Sequence, residues 1–172
     1  MLQFGIQISI SKYNGNNIMD NNNSQHQKET KDFIAKAVIT IDAPVAQVWD
    51  AFVNPEMIKQ YTFGTNVISH WKPGSSIVWK GEWQGKQYVD KGTILRMEKE
   101  RLIQYSHYSP LSDMPEIPEN YHTVTVELSH KGNRTSILLI QDNNANEQAR
   151  EHSEKNWQMM LESLKKLLEK SS

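Results

Sequence analysis

The sequence contains no cysteine. Disulfides, thiol catalysis and thiolate zinc sites are therefore excluded, and the chain suits a reducing compartment, so a cytoplasmic location is the expectation. No run approaches the roughly 18 apolar residues of a membrane span. Lysine and arginine gather on no one segment, and the formal net charge is -1. Nucleic acid is thus not an expected partner, because phosphate binding needs a basic surface. The usual catalytic signatures are missing as well: there is no Gly-x-Gly-x-x-Gly, no P-loop, no Gly-x-Ser-x-Gly and no His-Glu-x-x-His. The histidines are His26, His70, His107, His122, His130 and His152. No two share an element at metal-ligand spacing, so neither a metal nor a cofactor is expected.

What is present suits one domain with some tail to spare: 172 residues, 37% of them hydrophobic. Tyr13 to Asp32 is rich in Asn, Gln and charge, and its only aliphatic residues are Ile18 and Met19. Such a composition cannot bury enough apolar surface to pack. Residues 1–31 are expected to be a tail and residues 32–170 the domain. Met1 to Ser11 lacks the basic start and clean apolar core of a signal peptide. Met19 stands as an alternative start to Met1.

The end of the chain organises the rest. Asn144 to Glu169 contains no Gly and no Pro. Asn144 is placed to cap a helix, with Glu147 three residues on, as in a capping box. Trp157, Met160, Leu161, Leu164 and Leu168 fall on one helical face, and charged residues cover the other. About 25 helical residues make a rod of roughly 37 Å. A rod of that length needs a long apolar surface to lie on.

The preceding chain supplies one. Phe33 to Ile41 alternates as a strand. Pro44 opens a helix with Val45, Val48, Trp49 and Phe52 as its stripe, and Asn54-Pro55 leads to a second short helix over Glu56 to Gln60. From there the period is two. Strands are predicted over Asn66 to Trp71, Ser76 to Gln84, Gln87 to Glu98, Leu102 to Ser109, Tyr121 to Ser129 and Arg134 to Gln141, most of them joined by short turns. Short links make antiparallel neighbours. The fold class is therefore α+β: an antiparallel sheet of about six to seven strands with one apolar face. One link is long. Residues 110–119 are Pro-rich and acidic, and read either as a plain surface loop or as a lid over a cavity.

Trp71, Trp79, Trp83, Tyr105, Tyr108, Tyr121 and Trp157 come from several strands and the long helix. Converging, they would line an apolar chamber with a few polar handles. A sealed core filled by rings accounts for the same residues. Buried indoles need partners for their N–H groups, which favours a partly wet cavity. His107 and His122 fall on strands that are candidates to be neighbours. Either each is an ordinary hydrogen-bonded histidine at the edge of the core, or together they hold a metal or form an acid/base pair.

The order of elements resembles the helix-grip fold of the Bet v 1 and START superfamily, a curved sheet wrapped around a long C-terminal helix with two short helices after the first strand. The residues point closer. Ile41-Asp-Ala-Pro-Val-Ala-Gln-Val-Trp-Asp-Ala-Phe52, Asn54-Pro-Glu56, Trp71-Lys-Pro-Gly74, Lys91-Gly-Thr-Ile94, Arg101-Leu-Ile-Gln-Tyr105 and Asn156-Trp-Gln-Met-Met-Leu-Glu-Ser-Leu-Lys165 together resemble the activator-of-Hsp90-ATPase homologue family in its single-domain form. The resemblance implies an apolar cavity between sheet and helix. Its lining would be Trp71, Trp79, Trp83, Tyr105, His107, His122, Trp157, Met160 and Leu161. It implies a binding domain without catalysis for a small hydrophobic or aromatic molecule. Two alternatives stand beside this. One is a co-chaperone-like partner of Hsp90. The other is a cavity enzyme such as a cyclase or hydrolase, with His107, His122 or Glu82 as its titratable group. Residues 1 to 32 match nothing of the eukaryotic co-chaperone's N-terminal domain. Asn156 stands where the family often has Gly.

Overall fold

The computed structural model describes residues 33–170. The tail expected over residues 1–31 lies outside the described residues, as do both candidate start positions. The elements run β1 (Phe33–Ile41), α1 (Val45–Val53), α2 (Pro55–Tyr61), β2 (Asn66–Ser69), β3 (Ser76–Trp83), β4 (Lys86–Glu98), β5 (Leu102–His107), β6 (His122–Lys131), β7 (Arg134–Asn144) and α3 (Glu147–Glu169). The strands form a seven-stranded antiparallel sheet in the order β1-β7-β6-β5-β4-β3-β2. This is the α+β helix-grip architecture the sequence predicts: the short helices follow the first strand and α3 lies against the apolar face.

Leu161, Leu164 and Leu168 of α3 are fully buried, and they pack in one core with Ile41, Val48, Ile137 and Leu139. The predicted stripe is thus the buried one, while Trp157 and Met160 sit half-buried at its N-terminal half. The helix also covers a sheet edge. β1 is an edge strand, and its outward backbone groups would template another strand if left open. Side chains of α3 occupy them. Glu154 Oε1 accepts from Lys36 N–H at 3.1 Å, Glu169 Oε1 accepts from Asp42 N–H just beyond the strand at 2.9 Å, and Lys165 Nζ donates to Thr40 O at 2.7 Å.

Local signals shift by a residue or two from the sequence reading. Pro44 is the N-cap of α1 rather than its first helical residue, because its extended ψ of 147° still belongs to the incoming chain. Asn54 caps α2, its side chain accepting from Glu56 N–H at 3.1 Å. The N-cap of α3 is Asn146, which accepts from Ala149 N–H at 2.9 Å; Asn144 is the last residue of β7. Two asparagines lie within two positions of each other, and the one whose backbone is already extended and outside the sheet takes the cap. Asn146→Ala is expected to cost about 1 kcal/mol, read as a shift in the urea midpoint.

Candidate functional site

The inward row of several strands is apolar along its length and turns polar toward one end. On β4 this row is Tyr88, Asp90, Gly92 and Ile94; on β5 it is Ile103, Tyr105 and His107; on β7 it is Ile137, Leu139 and Gln141. These ends border a pocket of about 150 Å³ between the sheet and the first half of α3. Its walls are largely rings and aliphatic chains, with Tyr61, Trp71, Trp79, Tyr88, Tyr105 and Trp157 among them. Trp79 stacks at a tilt on Tyr105 with centroids 5.2 Å apart and meets the His107 ring edge-on at 5.1 Å.

Many of the polar groups at the pocket bond to one another. Ser109 Oγ donates to Asp90 Oδ1 at 2.6 Å, and His107 Nε2 lies 3.1 Å from Asp90 Oδ2. Asp90, His107 and Ser109 are 5%, 5% and 4% exposed. A carboxylate this deep needs such donors, since an unpaired buried charge is costly. On the helix side, Trp157 Nε1 donates to Gln141 Oε1 at 2.8 Å, and Gln141 Nε2 donates to Asn144 Oδ1 and Ser153 Oγ. Asn144 in turn donates to Phe33 O at 2.7 Å. This chain of bonds fixes the start of α3 to β7 and β1. Tyr61 donates to Ala51 O at 3.0 Å, and Tyr88 shares a hydrogen bond with Thr65 at 2.9 Å. The Tyr105 hydroxyl has no partner among the described residues. Burial pushes both the Tyr61 and the Tyr105 phenols far above the ordinary range, so both remain O–H donors.

The arrangement is not that of an activated nucleophile. In a serine triad the histidine stands between serine and carboxylate. Here Asp90 stands between Ser109 and His107, and the serine proton is directed to the carboxylate. Among the described residues there is also no cluster of three or more potential metal ligands.

Of the residues singled out from sequence, Trp71, Trp79, Tyr105, His107, Trp157 and Met160 line the pocket. Leu161 does not: it is 0% exposed and belongs to the core beneath the helix. His122 pairs with His107 across β5 and β6, with ring centroids 6.4 Å apart, but lies outside the lining. The backbone of Trp83 pairs with Lys86, and its side chain lies outside the described residues. Glu82 is also outside the lining and accepts from Gln87 Nε2 at 2.8 Å. Tyr108 and Tyr121 stack on each other at 5.3 Å and hold the 110–119 loop instead. Tyr108 donates to Met114 O, Tyr121 donates to Glu116, and Glu116 pairs with Lys91 at 2.6 Å. Of that loop, Leu111 reaches the pocket.

Trp71 carries a backbone cost. Its φ of 53° is left-handed, a rare state for a bulky residue, and it ends β2 earlier than its hydrophobic pattern suggests. Its N–H is held by Ser69 Oγ at 3.1 Å. His122 has a measurable consequence. Its Nδ1–H donates to Asp142 O at 2.9 Å, and burial holds its pKa below the ordinary value of 6.5. The unfolded chain takes up a proton near that value while the folded one stays neutral. Stability present above pH of about 6.5 is therefore expected to fall as pH drops toward the lowered folded value. Urea midpoints measured between pH of about 7.5 and 5 should show the decline, and His122→Gln should flatten it.

A sheet gripping a long helix, with a ring-lined pocket between them, defines the helix-grip class of Bet v 1-like domains. The chain belongs to the family of activator of Hsp90 ATPase homolog 1-like proteins, whose model matches residues 42–169. Among solved structures it is similar to ChR145 from Cytophaga hutchinsonii, at 54% identity over 80% of this chain and 94% of that one, with a TM-score of 0.72. The Aha1 dimer from Colwellia psychrerythraea shares the fold at 17% identity over 78% of this chain and 95% of that one, with a TM-score of 0.61. CalU16 from Micromonospora echinospora does so at 22% identity over 78% and 82%, with a TM-score of 0.57. No curated protein matches the chain. Among the described residues no helix is long and apolar enough to cross a membrane.

Proposed function

We propose that the domain over residues 32–170 is a cytoplasmic binding module that holds a small hydrophobic or aromatic molecule between sheet and α3, without catalysing its conversion. The observation behind this reading is the pocket of about 150 Å³ lined by seven Phe, Tyr and Trp side chains, with the hydrogen-bonded Asp90, His107 and Ser109 at one end. A cavity of similar order admits a benzene-sized ring. Leu111 gives the 110–119 loop its contact with the pocket, and the loop is assigned the role of gate. Native mass spectrometry of protein purified from its own host tests the reading. A small apolar mass carried at one per chain is expected. A bare chain that also ignores added aromatic probes sinks it.

A second reading rests on family membership: contact with an Hsp90-type chaperone. It requires the host's own Hsp90 to bind the protein and to change its ATPase rate. A flat rate without binding removes it. A cavity enzyme has less behind it, since His122 and Glu82 stand outside the pocket lining and His107 bonds to Asp90 rather than to a nucleophile.

A further inference from the structure

Resting on the binding reading above, we propose that the pocket selects a compact aromatic amine or alcohol and rejects the matching carboxylic acid. The argument begins with the charges around it. Among the described residues no Lys or Arg lines the pocket, and the one carboxylate there is Asp90. An anionic ligand would face the acidic side chain of Asp90 with no Lys or Arg beside it, and the imidazole there, His107, is already bonded to that carboxyl group. In the low dielectric of such a site that opposition is felt far more than in water.

Hydrogen-bond capacity points the same way. One proton lies between His107 Nε2 and Asp90 Oδ2, and that bond occupies both atoms. That leaves His107 Nδ1 without a partner among the described residues. Asp90 itself has about four lone-pair positions, and Ser109 and His107 occupy one on each oxygen. The Tyr105 hydroxyl and the Asn156 amide, also at the pocket, lack partners among the described residues and are able both to accept and to donate, so Asp90, which adds acceptor positions only, tips the balance. The polar end is therefore richer in open acceptors than in donors, and it suits a ligand that brings an O–H or N–H.

The walls complete the match. An ammonium group near Asp90 would lie beside Trp79, which stands opposite Asp90 in the sheet and packs on Tyr105, and the faces of such rings attract cations. A hydroxyl would use the same acceptors without its charge. A volume of about 150 Å³ limits the ring system to one or two rings.

Three probes of nearly equal size separate the cases: benzylamine, benzyl alcohol and benzoate. Each is titrated into the full-length protein while the indole N–H signals of Trp79 and Trp157 are followed by NMR. Either the amine or the alcohol, or both, is expected to saturate these signals at a concentration at least about tenfold below that of benzoate, a difference of about 1.4 kcal/mol. Asp90→Asn, which keeps the shape of the side chain, is expected to narrow the gap between amine and acid at least fivefold. Should that variant not fold, the comparison in the unaltered protein decides alone. Benzoate within tenfold of both other probes overturns the inference and leaves the binding reading standing. No shift with any probe overturns both.

Discussion

Gly92→Ala is expected to cost about 4 kcal/mol or more, a large share of the roughly 5–15 kcal/mol that separates a folded domain from its unfolded chain. A Cβ built at Gly92 would sit 1.7 Å from Ser106 O on β5. That neighbour is backbone in the middle of the sheet and cannot rotate away. The close approach has a purpose in the fold. Around Gly92 the ladder between β4 and β5 departs from regular pairing: Thr93 N–H is taken by Ser106 Oγ at 3.0 Å, and Lys91 pairs with Tyr108 through two backbone bonds. At this close approach Asp90 reaches His107 and Ser109. A methyl group would push the strands apart where the polar cluster is made, so the variant loses the Asp90–His107 contact along with its stability. The urea midpoint reads the first effect, and the His107 NMR signals read the second. Gly132→Ala makes a useful contrast. Gly132 also has special backbone, with φ of 59°, but a Cβ there meets nothing. Its cost should be only about 1–2 kcal/mol, that of a left-handed residue.

Val126→Phe is expected to leave the fold standing and lower the affinity for benzyl alcohol or benzylamine at least about tenfold. Val126 lies on β6, 2% exposed, and forms part of the pocket wall. A larger side chain in a filled core typically costs about 1–3 kcal/mol. Here the added ring has about 150 Å³ of space to enter, so the stability change should fall at or below that range. The ring then occupies the volume a ligand would use. Circular dichroism and the urea midpoint check the fold, and NMR titration checks the affinity. A variant that folds and binds as before places the ligand elsewhere on the protein.

Architecture was legible because it depends on periodicity. The stripe of Leu161, Leu164 and Leu168 and the alternation along β1, β6 and β7 are repeated signals, and no single residue decides them. The lining of the pocket was legible only where it is aromatic. Trp71, Trp79, Tyr105 and Trp157 stand out by size. Asp90 does not, although it carried a signal: it shares parity with Ile94, on the buried face of β4. A carboxylate on an inward row calls for donors, and parity puts His107 on the inward row of β5. Gln141 announces itself the same way, two residues beyond Leu139 on β7. The placement of Ser109 beside Asp90 goes with the close approach of β4 and β5 at Gly92, which periodicity cannot show. Leu161 was misplaced because one helical face serves two surroundings. Its neighbours Trp157 and Met160 look onto the pocket, while one turn on the helix is pressed against the sheet. His122 was misplaced because sharing a strand pair with His107 does not mean sharing its exposure.

The closing of β1 by α3 has a consequence for synthesis. β1 is the first described strand, yet its ladder partner is β7, with Phe33 opposite Asn144, and its outer edge is covered by Glu154, Lys165 and Glu169. While the chain is being made, β1 leaves the ribosome with neither neighbour in existence. At about 5–20 residues per second, the wait for α3 is on the order of 10 s. Throughout that interval an unpaired strand rich in Ile and Val is open to other nascent chains. The last element to emerge is the one that ends the exposure of the first.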